Sequence, residues 1–301
     1  LKLRSIRLLI IFLICGDLAI GQNKMIVFQS DFGLKDGAVA VMKGVALGVS
    51  DDLKLFDLTH EIPPFNIWEA AVRLQQTVPW WPEGTVFVSV VDPGVGTDRA
   101  PVVAKTKTGQ YIVTPDNGTL TLIAENPGIV SVRKINELTN RLQGSRGSYT
   151  FEGRDVFAYT AARLASGVIS YEEVGAIKLL PAQKLAYREA EYADRKLKGI
   201  VYILDREYGN VWTNITEKLF RRLGPHYGDL VILKVSREGR VVFEGEMPYC
   251  KTFGDVEAGL PLAYINSLEQ LSFALNRGDF AGTHGIESGV EWEVEVTIRE
   301  E

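Results

Sequence analysis

The sequence predicts an α/β N-terminal domain with a mostly parallel sheet, followed by a smaller all-β, barrel-like C-terminal domain. Three observations carry that expectation. From Met25 to Ser166, apolar β-prone runs alternate with stretches of helical spacing, as in a parallel sheet flanked by helices. Beyond about 199 the pattern changes to short strand-like runs separated by glycine turns, as in small antiparallel barrels. Between them, 176–198 is irregular and rich in charge. The expected domains are therefore an α/β domain over 25–175, a linker over 176–198 and a β-barrel domain over 199–301.

Taken in order, a strand is expected at 25–30. A helix follows near 36–49, where Val39, Val41, Met42, Val45, Ala46 and Val49 partly fit a 3.6-residue period. Leu-Lys-Leu-Phe-Asp-Leu at 53–58 reads as a strand, and Asn66 as the N-cap of a helix at 67–78. A strand at 85–91 comes next, then a hairpin pairing 102–104 with 111–113 around Thr108-Gly109. A helix near 119–126, a strand near 129–134 and a helix from Asp155 to Ser166, stopped by Gly167, complete the domain. In the second domain, strands are expected at 199–204, 230–235, 240–244, 262–265 and 290–298.

The composition narrows the function. The 301 residues suffice for two domains and a sizeable core. With a net charge of −5 and no basic stripe, nucleic acid is not an expected partner; a small molecule is. Two cysteines and three histidines, without His-x-x-x-His or Cys-x-x-Cys spacing, argue against a transition-metal site. Residues 1–22 stand apart: Lys2, Arg4 and Arg7 precede the apolar run Leu8 to Cys15 and small residues around Ala19 and Gly21. That is the layout of a secretory signal peptide, too short to span a membrane comfortably. Export to the periplasm or medium, with no membrane association once the signal is removed, is expected; the alternative is a cytoplasmic protein starting at Met25.

The chemistry-bearing residues gather at strand ends. Asp31 and Asp92 each follow an apolar strand and precede glycine turns, where open α/β sheets place ligand chemistry. Asp31 is either a turn former or a carboxylate for a ribose diol; Asp36 reads as a helix cap. Asp92 and Arg99 flank Pro-Gly-Val-Gly, as a buried ion pair orienting a reactant or as a turn starter and a surface charge. Glu152 opens a helix, where a carboxylate is favourable, or faces the same crevice. The run Asp205 to Ile215 is dense in Asn, Tyr and Trp, which recognise flat heterocycles but also build cores. His60 reads as a hydrogen-bonder that fixes its loop, with a catalytic role the less favoured alternative. No P-loop, G-x-G-x-x-G or Ser-His-Asp order is recognised.

Together, Ser30-Asp31-Phe32-Gly33 with Met42-Lys43-Gly44, Asp57 to Pro64, Val90 to Arg99, Pro115-Asp116-Asn117-Gly118, Thr150 to Asp155, Tyr208-Gly209-Asn210 with Thr213-Asn214-Ile215, and Ile265-Asn266-Ser267 resemble the S-adenosylmethionine (SAM) hydroxide adenosyltransferase family. The resemblance runs from about 25 to 298. It implies hydrolysis of SAM to adenosine and L-methionine, with no cofactor or metal. It also implies a homotrimer with active sites between the N-domain of one subunit and the C-domain of the next. Carried over residue by residue, Asp31 binds the ribose hydroxyls and Phe65 lines the ribose side. Asp205 holds the methionine ammonium, Ser267 its carboxylate, and Asn210 reads adenine between apolar walls of Tyr208, Trp212 and Phe253. Asp92 and Arg99 match the first two members of the family's water-positioning Asp–Arg–His triad. The third departs: the usual Thr-Phe-His-Gly-Arg-Asp is here Thr150-Phe151-Glu152-Gly153-Arg154-Asp155. Leu268 likewise stands where the related halogenases carry arginine after the serine. The alternatives are a non-catalytic SAM- or adenosine-binding protein and, less favoured, a halogenase, which would have tyrosine at Asp92.

Overall fold

The structure, a computed structural model, describes residues 23–179 and 182–299. The signal-peptide reading of 1–22 lies outside the described residues. In the first domain, β1 (Met25–Ser30), α1 (Ala38–Val49), β2 (Lys54–Thr59), α2 (Ile67–Thr77) and β3 (Val86–Val90) alternate as expected. They are followed by β4 (Pro101–Thr106), β5 (Tyr111–Pro115) and β6 (Ile129–Lys134). A helical turn, Gly153–Ala158, then runs directly into α3 (Tyr159–Ala165).

The sheet order is β2-β1-β3-β5-β4-β6. The pairings β2-β1, β1-β3 and β3-β5 are parallel; β5-β4 and β4-β6 are antiparallel, the expected hairpin included. The two-residue period of β1 decides its faces. Ile26 and Phe28 pack with Met42 and Ala46 of α1 and with Phe157 and Ala161, whereas Val27 packs with Leu74 of α2. Helices thus cover both faces, and the chain leaves β1 first to one side and then to the other. That reversal between β1 and β3 is the topological switch point where such sheets bind ligands, outside the carboxyl ends of the strands.

Two local expectations change in form. The helix near 119–126 keeps only a short turn, Thr121–Ile123, and Asn126 is extended (φ −147°, ψ 122°) because Pro127 follows. Asp36 is not the cap residue itself. Its Oδ1 accepts Ala38 N at 3.0 Å, with Gly37 at the cap position. Asn66 does cap α2, accepting Glu69 N at 2.9 Å.

The second domain is antiparallel, in the order β11-β10-β14-β8-β9-β13-β12. Its strands are β7 (Glu191–Ala193), β8 (Lys196–Asp205), β9 (Asn210–Thr216), β10 (Leu230–Arg237), β11 (Arg240–Pro248), β12 (Pro261–Ile265), β13 (Gln270–Leu275) and β14 (Trp292–Ile298). Cys250 N, just beyond β11, donates to Ala263 O of β12 at 2.8 Å and nearly closes the sheet into a barrel. β9 and β13 add to the strands the pattern predicts, and β7 pairs with the start of β8 inside 176–198. The domains meet along α2. Trp68 Nε1 donates to Tyr202 O at 2.7 Å, Arg73 to Leu204 O at 2.9 Å, and Arg206 pairs with Glu69 at 2.8 Å.

Candidate active site

Two cavities hold all the site residues expected from the sequence except Arg99, which lines neither. One, of about 300 Å³, lies at the switch point and is lined by Asp31, Phe65, Asp92 and Glu152, with Phe32 and Phe151 between them. The other, of about 970 Å³, opens on the barrel and is lined by Asp205, Tyr208, Asn210, Trp212, Phe253 and Ser267. Among the described residues, none lines both.

Asp31 follows β1, and its Oδ2 accepts the backbone N–H of Phe65 at 2.9 Å. Phe65 has a left-handed backbone (φ 68°) and an exposed ring, ahead of the Asn66 cap. The loop around Asp31 is fixed from behind. Ser30 Oγ lies 2.7 Å from His60 Nδ1, His60 Nε2 lies 3.0 Å from Asp57 Oδ1, and Lys43 Nζ is 2.6 Å from Asp57 Oδ2. Burial pushes the Asp57 carboxyl up, but the bonds from Lys43 and His60 outweigh it and hold it below the ordinary value. Gly33 N also donates to His60 O at 2.8 Å. Ser30, Asp57 and His60 therefore do come together, a constellation not recognised in the sequence. Ser30 is fully buried and lines neither cavity, so its hydroxyl anchors the loop and is not placed as a nucleophile.

The chemical centre of the small cavity is an ion cluster. Arg99 binds Asp92 through two nitrogens, Nε to Oδ1 at 2.8 Å and Nη2 to Oδ2, and reaches Glu152 Oε2 at 2.5 Å. The side chains of Asp92, Arg99 and Glu152 are only 5%, 9% and 8% exposed, so the ion-pair reading of Asp92 and Arg99 holds over the surface-charge reading. Burial alone would lower the Arg99 pKa; the bonds from Asp92 and Glu152 overcome it and raise it, so the guanidinium stays charged. The Phe157 ring lies 5.4 Å from the guanidinium carbon and closes one side. Gly153, next to Glu152, has no room for a side chain to spare: a Cβ there would sit 3.2 Å from Phe32 and 3.3 Å from Met42. This close approach seats the Glu152 turn against α1.

The barrel cavity sets polar side chains among aromatic rings. Asp205 ends β8 and Asn210 opens β9, directly opposite each other, with Asn210 Nδ2 donating to Asp205 Oδ2 at 3.0 Å. Gly209 makes that turn possible (φ 64°), since a Cβ would fall 1.8 Å from Asp279 Oδ1. Trp212 Nε1 donates to Tyr264 OH at 3.2 Å, and Phe253 tilts over Tyr264 at 4.9 Å. Burial raises the Tyr264 hydroxyl to about 12, so it stays protonated. Asn266 Oδ1 accepts Leu268 N and Gln270 N at 2.8 and 3.1 Å and so shapes the turn that presents Ser267. Asn210 Oδ1 and Asn266 Nδ2 are buried without hydrogen-bond partners among the described residues, a cost that a bound polar ligand can relieve.

One residue of this site escaped sequence reading. Arg141 Nη2 lies 3.4 Å from Glu152 Oε1 and is also paired with Glu137 Oε2 at 2.6 Å. Its pair with Glu137 lies in a turn, outside any helix, and its reach to Glu152 is purely tertiary. Among the described residues, no cluster of His, Cys, Asp or Glu could hold a metal ion, and no helix is long and apolar enough to cross a membrane.

A mostly parallel α/β domain with an acidic switch-point cavity, joined to a barrel with an aromatic cavity, defines a two-domain class of small-molecule-processing protein. Within it the family is clear. Residues 26–175 match the SAM hydroxide adenosyltransferase N-terminal domain and residues 199–293 its C-terminal domain, and the chain belongs to this SAM-processing enzyme family. It is 35% identical to a protein of Thermus thermophilus named (R)-S-adenosyl-L-methionine hydrolase, over 88% of this chain and 97% of that one. It is 29% identical to a fluorinase of Nocardia brasiliensis, over 92% and 98% respectively. Among solved structures, an uncharacterized conserved protein of Thermotoga maritima superposes with a TM-score of 0.80 at 38% identity, covering 91% of this chain and all of that one.

Proposed function

We propose that the protein hydrolyses SAM to adenosine and L-methionine by in-line attack of water on the ribose 5′ carbon. The observation that carries this reading is the buried Asp92–Arg99–Glu152 cluster at the switch point. The water oxygen bonds to C5′ as the C5′–S bond breaks, and the electron pair leaves on sulfur as the methionine thioether. The water proton passes to a carboxylate of the cluster and then to solvent. A sulfonium needs no acid to leave, so the reading calls for no cofactor or metal. The site has to hold water about 3 Å from the carbon, in line, and exclude bulk solvent.

In this reading Asp31 takes the ribose diol beside Phe65. In the barrel cavity Asp205 takes the ammonium, Ser267 the carboxylate, and Asn210 the adenine edge among Tyr208, Trp212 and Phe253. Because the two sets line separate cavities, one substrate is gripped by both only if the N-domain cavity of one copy faces the barrel cavity of another. That favours a site shared between copies; the number of copies, a homotrimer, is what the family resemblance implies. Halide transfer is disfavoured, since Asp92 would place a carboxylate beside the incoming anion. One observation favours a second reading as a non-catalytic binder: both oxygens of Glu152 already face arginines.

Incubation with SAM and chromatography for adenosine tests the proposal. Adenosine above a heat-killed control, with labelled water oxygen on its 5′ carbon, is expected. Tight SAM binding without adenosine across pH 5 to 9 would establish the binder instead.

A further inference from the structure

Glu152 brings a carboxylate to the position where the resemblance implies a histidine, and a buried carboxylate is costly unless cations answer it. Arg99 answers only in part, because it is already bidentate to Asp92. The remaining oxygen, Oε1, faces Arg141 at 3.4 Å. Arg141 is itself only 3% exposed, with its guanidinium over the Tyr149 ring at 5.0 Å. Its backbone neighbours are tied to the helix that follows Glu152. Leu142 N donates to Asp155 O at 2.8 Å, Thr160 Oγ1 to Asn140 O at 3.0 Å, and Arg163 Nη1 to Asn140 Oδ1 at 3.0 Å. Arg141 and Glu152 are thus held on one unit. Arg141 does not line the cavity of Asp92; it walls a separate cavity of about 540 Å³ with Glu137, Arg146 and Tyr149. It can reach the reacting atoms only through Glu152.

We propose that Arg141 is a positioning residue that makes glutamate workable at position 152. It takes Oε1 from behind, so that Glu152 shares Arg99 with Asp92 instead of drawing it away. Three carboxylates, Asp92, Glu137 and Glu152, are strung between two guanidiniums, and loss of the rear guanidinium leaves Arg99 to answer both cavity carboxylates alone. The inference rests on the hydrolase reading above.

A kinetic cycle tests it, with Arg141→Gln, Arg141→Lys, Glu152→His and the double variant Arg141→Gln/Glu152→His. Arg141→Gln should lower kcat about tenfold or more with little change in KM, and Arg141→Lys should recover part of the loss. With histidine at 152 there is no carboxylate to compensate, so adding Arg141→Gln should change kcat less than about twofold. An equal loss in both backgrounds, a change confined to KM, or no loss at all overturns the proposal. Melting temperatures of the same four proteins and the wild type read the pair without turnover. If the wild type yields no adenosine, the hydrolase reading falls. A non-additive melting cycle would still support the Arg141–Glu152 coupling, and an additive one would refute it.

Discussion

The two cavities differ in what their buried polar atoms are doing. In the switch-point cavity the charged groups of the cluster are answered within the protein: Asp92 and Glu152 by Arg99, and Glu152 again by Arg141. In the barrel cavity, three times larger, amide atoms of Asn210 and Asn266 stand unanswered among aromatic walls. A prepaired ionic cluster is rigid before any ligand arrives, which suits the positioning of a small reactant. Unanswered amides and aromatic faces suit recognition of a larger molecule that supplies their partners. In the proposed reading, the ion cluster carries the chemistry and the barrel cavity most of the recognition, with Asp31 holding the ribose beside the cluster.

That division can be broken most severely at Arg99. Arg99→Met leaves Asp92 and Glu152 buried without their shared cation, and urea denaturation should show a loss of about 3–5 kcal/mol, together with loss of turnover. Full stability in this variant would mean the cluster is far better hydrated than its burial indicates.

Next in size, Asp31→Ala should weaken SAM binding by about 2–5 kcal/mol through loss of charge-assisted bonds to the ribose diol. Asp92→Ala should chiefly lower turnover. Both residues line the switch-point cavity, so calorimetry and steady-state kinetics on the two variants read the division of roles within it, and similar binding constants would reject that division.

Glu152→Gln keeps the shape of the cluster and removes one charge, so most of the rate should go. Glu152→His should retain measurable rate, because it restores the residue that the family resemblance implies at this position. Wild-type turnover in Glu152→Gln would leave water activation to Asp92 and Arg99.

On the recognition side, Phe253→Ala should raise KM by the equivalent of about 0.5–1.5 kcal/mol of lost ring contact, with kcat nearly unchanged. A drop in kcat at constant KM would place the barrel cavity in the chemistry after all.

The smallest effect sharpens the support behind Asp31. The folded Asp57 carboxyl titrates below its ordinary 3.8, so the stability it contributes is present above that pH and is lost as pH falls through the lower folded value. The melting-temperature gap between wild type and Asp57→Asn should therefore be constant near neutrality and narrow only below about pH 4. A gap that persists unchanged in acid would show that the carboxyl's charge is not what Lys43 and His60 hold.

What the sequence determined by itself is whatever depends on short spacing. The apolar runs of β1 and β3, the Asn66 cap and the glycine turns after Asp31 and Asp92 are local, and each is realised in the structure. Prediction failed where a neighbour overrides a propensity, as Pro127 does for the helix near 119–126. It also passed over β9 and β13, whose polar residues look like turn formers until cross-strand partners place them. The tertiary structure alone decided which charges meet. Arg99 and Glu152 are 53 residues apart, Arg141 touches Glu152 from a loop without regular structure, and Ser30 of β1 meets the Asp57–His60 pair from another segment. It also alone decided that the expected site divides between two cavities. Pair energies between charges depend on distance and burial, and neither is written in the spacing of residues that come from different elements.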